Sequence, residues 1–150
     1  MFERYTEKAR QVIFFSRQEA LQHGSRVISP EHILLGLMSA DETIPARYFP
    51  FRKSSAVEVV RREIEEKIVR REPMPQSAEL HLTVEAKQIL SYADEESHKL
   101  KNCRIETEHL FLGLLRQESS IAAEILHQHG LRLPNVRETV AGEIGFPDII

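Results

Sequence analysis

The sequence contains one cysteine, no tryptophan and only six glycines among its 150 residues. The single cysteine, Cys103, can form neither an internal disulfide nor a multi-cysteine zinc site, so we expect a protein of the reducing cytoplasm. Phosphate-binding loops of the G-x-x-x-x-G-K-[ST] type are absent. The chain therefore cannot hydrolyse ATP through such a loop, and the scarcity of glycine argues against a dinucleotide-binding loop as well.

An excess of basic residues and long apolar runs are also lacking. There are 20 Lys and Arg residues against 23 Asp and Glu, which gives a net charge of -3. Proteins that bind the phosphate backbone of nucleic acids instead carry clustered Lys and Arg. No run of about 18 apolar residues could cross a membrane, and the amino terminus has no signal-peptide pattern. We expect neither nucleic acid nor a membrane as a partner.

Catalytic and metal-binding patterns are equally scarce. His32 and His109 each follow a glutamate, but adjacent positions on a helix do not face each other, which favours a core or capping role for both histidines. His127 and His129 lack a third metal ligand at helical spacing. Cys103 has no nucleophile context and is expected to be a small buried side chain. The sequence predicts a protein that is not an enzyme and holds no metal or other cofactor.

One string of residues occurs twice in the chain. It reads PEHILLGL at residues 30–37 and TEHLFLGL at residues 107–114, an offset of 77 residues. The same offset aligns Thr6 with Thr83. This unit is longer than the roughly 20 to 50 residues of solenoid repeats, and it is present only twice. A single domain built from two packed halves is therefore predicted.

Helical signals fill both halves. Apolar periodicity and helix-start residues predict helices at residues 6–23, 29–39, 55–71, 83–100, 107–116 and 120–129, and a last helix that begins at Pro134. The predicted domain covers residues 1–150, with one repeat at about 2–71, a proline-containing linker at 72–81 and a second repeat at about 82–145. The tail after residue 145 is expected to fray.

Two local features need an explanation. Gly36 and Gly113 lie inside almost wholly apolar helices, where a glycine costs about 1 kcal/mol, so we predict that another helix crosses closely at each of them. Between residues 40 and 54 two prolines predict a broken helix. Its aromatic residues either cap the core or stand exposed as a partner-binding patch, and the sequence leaves both alternatives open. They are Tyr48, Phe49 and Phe51.

The repeated strings resemble the amino-terminal domain of the Clp unfoldase ATPases, most closely the ClpC type. In that family each repeat begins near a Thr-containing string that ends in alanine and later carries T-E-H-[IL]-L-L-G-L. Here the starts are YTEKA at 5–9 and LTVEA at 82–86. The resemblance covers nearly the whole chain and departs at residues 45–51, where the family has an alanine-rich helix. It implies an all-α fold of about eight helices in two pseudo-symmetric four-helix repeats.

The resemblance also implies a function. Clp N domains bind protein substrates or adaptors and pass them to a Clp ATPase ring for unfolding and proteolysis, and the chain would be either a free-standing module or a part of a longer unfoldase. In ClpC-type domains each half can hold a phosphorylated arginine side chain. Matching the motifs makes Thr6, Glu31, Thr83 and Glu108 the candidate phosphoarginine-binding residues, with one hydroxyl and one acid from each half.

The chemistry of these four residues fits both a ligand and a simpler role. A helix amino terminus attracts phosphate, and a carboxylate binds a guanidinium group. Threonine and glutamate are also ordinary capping residues, which spacing alone favours. Glu85 stands where the first half has Lys8 and would repel an anion, so we expect the stronger site in the first half. The alternative function is a regulator or sensor that binds a small ligand or a partner helix, and an enzyme is the least favoured reading.

Overall fold

The structure, a computed structural model, describes residues 2–49 and 53–144, without the side chains of 53–55 and 144. Phe51 and the tail after residue 144 lie outside this range. Eight helices and two short strands are found within it. In chain order they are α1 (Glu7–Gln22), β1 (Val27–Ile28), α2 (Pro30–Ala40), α3 (Thr43–Tyr48), α4 (Lys53–Lys67), β2 (His81–Leu82), α5 (Val84–Lys99), α6 (Thr107–Arg116), α7 (Ile121–Gln128) and α8 (Leu133–Ile144).

The second half repeats the first element by element. Helices α1 and α5 are both 16 residues long, and their starts and ends differ by the same 77 residues as the repeated strings. Both begin with a threonine cap in nearly the same conformation. The Oγ1 of Thr6 accepts a hydrogen bond from the amide of Ala9 at 3.2 Å, and that of Thr83 accepts one from Ala86 at 3.0 Å. The prediction of two pseudo-symmetric four-helix repeats is confirmed.

Helices α2 and α6 form the centre of the core. Each is packed mainly against the first helix of its own half, α1 or α5. In α2 every residue from His32 to Met38 is buried, and in α6 every residue from Thr107 to Leu115. Their sequences are apolar around nearly the whole helix because neighbouring helices cover them on several sides.

The glycines in α2 and α6 mark close helix crossings, as predicted. A Cβ atom added at Gly36 would lie 2.4 Å from the Oγ of Ser16 and 2.7 Å from the carbonyl oxygen of Val12 on α1. A Cβ atom at Gly113 would lie 2.6 Å from the carbonyl oxygen of Ile89, which is the counterpart of Val12 on α5. Only a residue without a side chain allows the backbones to approach this closely.

Short parallel strands join the two halves. β1 pairs with β2, so that Val27 lies opposite His81 and Ile28 opposite Leu82. A single bridge between Tyr5 and Ile105 repeats this pairing at the other end of the domain. In both places the residues that precede the first helix of one half pair with those that precede the second helix of the other half. The segments before α1 and α5 therefore cross between the repeats.

Of the three aromatic residues in the broken segment, the two that are described, Tyr48 and Phe49, do not form the exposed patch that was one of two alternatives. Phe49 is only 6% exposed and belongs to the core, and the half-buried ring of Tyr48 lies 5.1 Å from that of Phe111. Phe49 directly follows the end of α3 at Tyr48, and its ring lies against that of His129. The expectation of a buried Cys103 was also wrong, since this residue is exposed in the loop between α5 and α6.

Replacing either crossing glycine tests the helix packing. Gly36→Ala and Gly113→Ala should each destabilise the domain by about 1–3 kcal/mol, because the added methyl group meets backbone atoms that cannot move aside. Chemical denaturation measures the free energy of unfolding. Gly142→Ala on α8 is the control, since an added Cβ there has no atom within 4 Å. It should stabilise by up to about 1 kcal/mol, and equal losses at all three positions would contradict the close crossing.

A second stability test concerns the ends of α1 and α5. The chain leaves α1 through Gly24 at φ +69°, and it leaves α5 at the equivalent position through Lys101 at φ 58°, a conformation that costs an ordinary residue about 1 kcal/mol or more. Lys101→Gly should therefore raise the free energy of unfolding by about 1 kcal/mol. The matched control Lys99→Gly, inside the last turn of α5, should lower it. A loss in both variants would contradict the strain at Lys101.

Candidate functional site

The four candidate residues all lie at helix starts, but the structure groups them across the two halves. The amide of Thr6 donates a 3.1 Å hydrogen bond to the carbonyl oxygen of Ile105, three residues before Glu108. The amide of Thr83 donates one of the same length to Ile28, three residues before Glu31. The repeat suggested instead that each threonine groups with the acid of its own half. The structure differs because the strand pairing holds the segments before α1 and α5 against the opposite half.

These backbone contacts define two candidate sites, each of which combines one threonine with the acid of the other half. The Glu31 site consists of Glu31 on α2 and Thr83 before α5. The Glu108 site consists of Glu108 on α6 and Thr6 before α1. This grouping also changes which charged residue belongs to which site, since Glu85 on α5 belongs with the Glu31 site. The advantage that Lys8 was expected to give to Glu31 therefore falls to the other site.

Glu31 is a partly buried carboxylate in the first turn of α2. Burial raises its pKa above the value of 4.5 that is usual for glutamate, and a hydrogen bond from its own backbone amide and the nearby His23 offset part of this rise. Among the described residues no Lys, Arg or His side chain forms an ion pair with Glu31. A desolvated carboxylate without a counter-charge is electrostatically suited to a cationic ligand.

Exposed apolar side chains border the Glu31 site. Val27 on β1 is 38% exposed, and Val84, the residue after Thr83, is 67% exposed. The equivalent positions at the Glu108 site, counted by the 77-residue offset, carry Arg104 and Glu7. The two sites therefore share a backbone arrangement but differ in their borders, one apolar and one charged.

Glu108 has an ion-pair partner, in contrast to Glu31. The Nη2 of Arg47, on α3, donates a 2.8 Å hydrogen bond to its Oε2. The other terminal nitrogen of Arg47 contacts the carboxylate of Glu143 on α8. Reasoning from sequence missed Arg47. The available signal was the departure from the family pattern at residues 45–51, because a segment that differs from the family can change the side chains around the site.

Asp41 adds a second buried carboxylate beside Glu108. Its Oδ2 accepts a 2.6 Å hydrogen bond from the Oγ1 of Thr107, and its Oδ1 accepts a 3.0 Å bond from the amide of Thr43. Burial raises the pKa of Asp41, but these hydrogen bonds and the charge of Lys8 outweigh it, so the net pKa is lowered. Asp41 therefore stays ionised and increases the negative charge around Arg47.

The two histidines that follow the acids cap their helices, as predicted. The Nδ1 of His32 accepts from the amide of Ser29 at 3.0 Å, and that of His109 accepts from Glu106 at 2.8 Å. Burial, with a smaller effect of His23, lowers the pKa of His32 to about 4, which keeps the ring neutral and its Nδ1 free to accept. These roles in helix capping leave Nδ1 unavailable for proton transfer.

The second nitrogens of the two histidines differ. The Nε2 of His109 lies 2.9 Å from the Oδ1 of Asn102, whereas the buried Nε2 of His32 has no hydrogen-bond partner in the part of the chain that is described. The residue equivalent to Asn102 is Ser25, and its hydroxyl donates to the carbonyl of Val27 instead. The first half therefore lacks one of the internal hydrogen bonds of the second.

No group of three or more His, Cys, Asp or Glu side chains is arranged to hold a metal ion within residues 2–49 and 53–144. Of the helices described, none is long and apolar enough to cross a lipid bilayer.

Comparison with known families confirms the resemblance. The family model of the Clp repeat (R) N-terminal domain matches residues 4–129, and a second match covers residues 81–148. The chain belongs to this family. The second match covers the second repeat alone, in agreement with a Clp N-terminal domain that contains two related halves.

The Clp N-terminal domain described here corresponds to a small part of its curated relatives. It is 35% identical over 145 residues to the negative regulator of genetic competence ClpC/MecB of Bacillus subtilis (strain 168). It is 38% identical over 149 residues to the chloroplastic chaperone protein ClpC2 of Arabidopsis thaliana. Each alignment covers 97% of this chain but only 18% and 15% of the relatives. The chain therefore spans less than a fifth of their length.

Solved structures share the fold. The N-terminal domain of ClpD from Arabidopsis thaliana has a TM-score of 0.75 and 23% identity, and the match covers 96% of this chain and 99% of that one. The Hsp104 N-terminal domain from Candida albicans has a TM-score of 0.70 and 20% identity, with coverage of 95% and 91%. At these identities the similarity shows the fold alone, and it confirms the all-α Clp N architecture.

The partly buried carboxylate of Glu31 predicts a pH-dependent gain in stability when its charge is removed. Since the pKa of Glu31 is raised on folding, the ionised form is disfavoured in the folded state. The resulting loss of folding free energy is absent below the pKa of the unfolded state and grows as the pH rises above it. Glu31→Gln should therefore be more stable than wild type at neutral pH, with a difference that shrinks towards pH 4. Thermal unfolding between pH 4 and 7 measures it.

The control for this test is Glu85→Gln, which removes an exposed acid from the first turn of α5. It should show no such gain, because a solvated acid at a helix start is favourable. Equal behaviour of the two variants across the pH range would contradict the desolvation of Glu31.

Proposed function

We propose that this Clp N-terminal domain is a non-enzymatic module that recruits protein substrates or adaptors to a Clp ATPase. The family membership and the ClpC-type relatives support this proposal, as does the absence of a phosphate-binding loop from the sequence. We further propose that the Glu31 site recognises an arginine side chain of the bound protein in its phosphorylated form. The regulator built on an exposed aromatic patch has less support, because Phe49 lies in the core.

The observation that carries the finer proposal is the desolvated carboxylate of Glu31, which forms no ion pair with the side chains that the structure describes. A guanidinium group placed against it would supply the missing counter-charge and form charge-assisted hydrogen bonds. The binding energy would include recovery of the cost of burying the unpaired charge. The bordering Val27 and Val84 offer apolar contacts to the residues that flank the arginine in a bound chain.

The phosphate would lie at the amino terminus of α5. Thr83 accepts from Ala86, so its hydroxyl hydrogen can be donated to a phosphate oxygen, and the first amides of this 16-residue helix supply further donors. Glu85 in the same turn opposes an anion, whereas the equivalent residue at the Glu108 site is Lys8. The Glu31 site is thus better suited to the guanidinium group than to the phosphate.

Calorimetric titration with phosphoarginine tests this proposal. Glu31→Gln should weaken binding by about ten- to a hundredfold, because a hydrogen bond to a charged group contributes about 1.5–3 kcal/mol. Glu85→Lys should strengthen the binding of phosphoarginine but not that of free arginine, because it adds a positive charge only where the phosphate lies. Absence of heat in all titrations, or unchanged affinity in Glu31→Gln, would contradict the proposed site.

Substitutions at the cap separate phosphate recognition from folding. Aspartate and asparagine both cap helices well, so Thr83→Asp and Thr83→Asn should both fold normally. Thr83→Asp should lose phosphoarginine binding much more severely than Thr83→Asn, since only aspartate repels the phosphate. Equal affinities of the two variants would place the phosphate elsewhere.

A further inference from the structure

We infer that Glu108 is a guanidinium-binding site and that Arg47 of the same chain is its occupant in the free domain. The inference rests on the proposed function for the class of external ligand, a phosphorylated or free arginine side chain. Arg47 would then act as an internal competitor, and the domain would present one open site, at Glu31, rather than two.

Arg47 is held at Glu108 by several contacts. Its Nη2 donates to Glu108 Oε2 at 2.8 Å and to the Oγ1 of Thr43 at 3.0 Å. Its Nη1 contacts Glu143, and its guanidinium carbon lies 5.6 Å from the centre of the Tyr48 ring. The Glu108 side chain is only 9% exposed, whereas Arg47 is 31% exposed. The arginine therefore covers the acid and shields it from solvent.

The charge around Arg47 explains why a cation belongs there. Glu108, Glu143 and the buried Asp41 supply three carboxylates, and the pKa of Tyr48 is raised by burial and by the charges of Glu108 and Asp41, against the opposing effect of Arg47. Without Arg47 these acids would lose the cation that contacts two of them, Glu108 and Glu143, while the charge of Lys8 would still act on Asp41. The emptied site would strongly favour another guanidinium group.

The other half has no equivalent of Arg47. Under the 77-residue offset its counterpart is Glu124 on α7, which forms a 3.2 Å ion pair with Lys67. A glutamate cannot neutralise Glu31. The side-chain difference between positions 47 and 124 therefore accounts for the ion pair of Glu108 and for its absence at Glu31 among the described residues.

Self-occupancy has a measurable consequence for affinity. A ligand at Glu108 must first displace Arg47. The charge-assisted hydrogen bonds between Arg47 and Glu108 are then lost, which lowers the net free energy gained on binding. We expect binding there to be about ten- to a hundredfold weaker than at the same site without Arg47. At concentrations that saturate the Glu31 site, wild type should bind one phosphoarginine per domain.

The stoichiometry of phosphoarginine binding tests this inference. Arg47→Ala should bind two molecules per domain, and the double variant Arg47→Ala/Glu108→Gln should return to one. Arg62→Gln, which removes an exposed arginine from α4, is the charge-matched control and should behave as wild type. Arg47→Gln replaces the alanine variant if that one does not fold. Two equivalent sites in wild type would overturn the inference.

A second readout does not depend on phosphoarginine. Methylguanidinium should raise the melting temperature of Arg47→Ala more than that of wild type, because it fills the emptied site, and the extra rise should disappear in Arg47→Ala/Glu108→Gln. If this rescue occurs while no variant binds phosphoarginine, the proposed function fails and the self-occupied site stands. Absence of a Glu108-dependent rescue would overturn the self-occupied site whatever the phosphoarginine titrations give.

Discussion

The pairing of four short backbone segments between the halves is the constraint on which both candidate sites depend. The amides of Thr6 and Thr83 donate to carbonyl oxygens of the opposite half, so the backbone of each threonine is held to the segment that leads to the acid of the other half. The helices that follow are fixed by the close approach of α1 to α2 and of α5 to α6 at two glycines. A helix start can present amides and a carboxylate to one ligand only if both backbones are held in this way.

The duplicated backbone carries side chains that have diverged. Within the part of the chain that is described, Glu31 forms no ion pair, whereas Glu108 is neutralised by Arg47. The charges suited to a phosphate are distributed the other way round. Lys8, which would attract a phosphate, belongs with Glu108, whereas Glu85, which would repel it, belongs with Glu31. Neither site therefore combines every feature that suits a phosphorylated arginine. A duplicated fold permits this outcome, since each copy can lose or gain a charge without changing the packing of the buried helices.

The open acid also illustrates a balance between stability and binding. Burial of Glu31 without a partner disfavours the ionised folded state, and a bound guanidinium group would remove this penalty. The buried Nε2 of His32, in the same half, also has no hydrogen-bond partner among the described residues, although most buried polar groups in proteins have one. The corresponding groups of the second half are satisfied, Glu108 by Arg47 of the first half and the Nε2 of His109 by Asn102. The less satisfied half is the one that we propose to bind a ligand.

The sequence alone determined the helices, their threonine and histidine caps and the two glycine crossings, because capping and apolar periodicity act over a few residues and occur twice in one register. It indicated the family through the resemblance of the repeated strings to the family's motif. The tertiary structure decided which threonine is grouped with which acid, the burial of Phe49 and the pairing of Arg47 with Glu108. These contacts join residues far apart in the chain, 61 positions in the case of Arg47 and Glu108. No local spacing encodes such a contact, since it depends on how the two halves pack together.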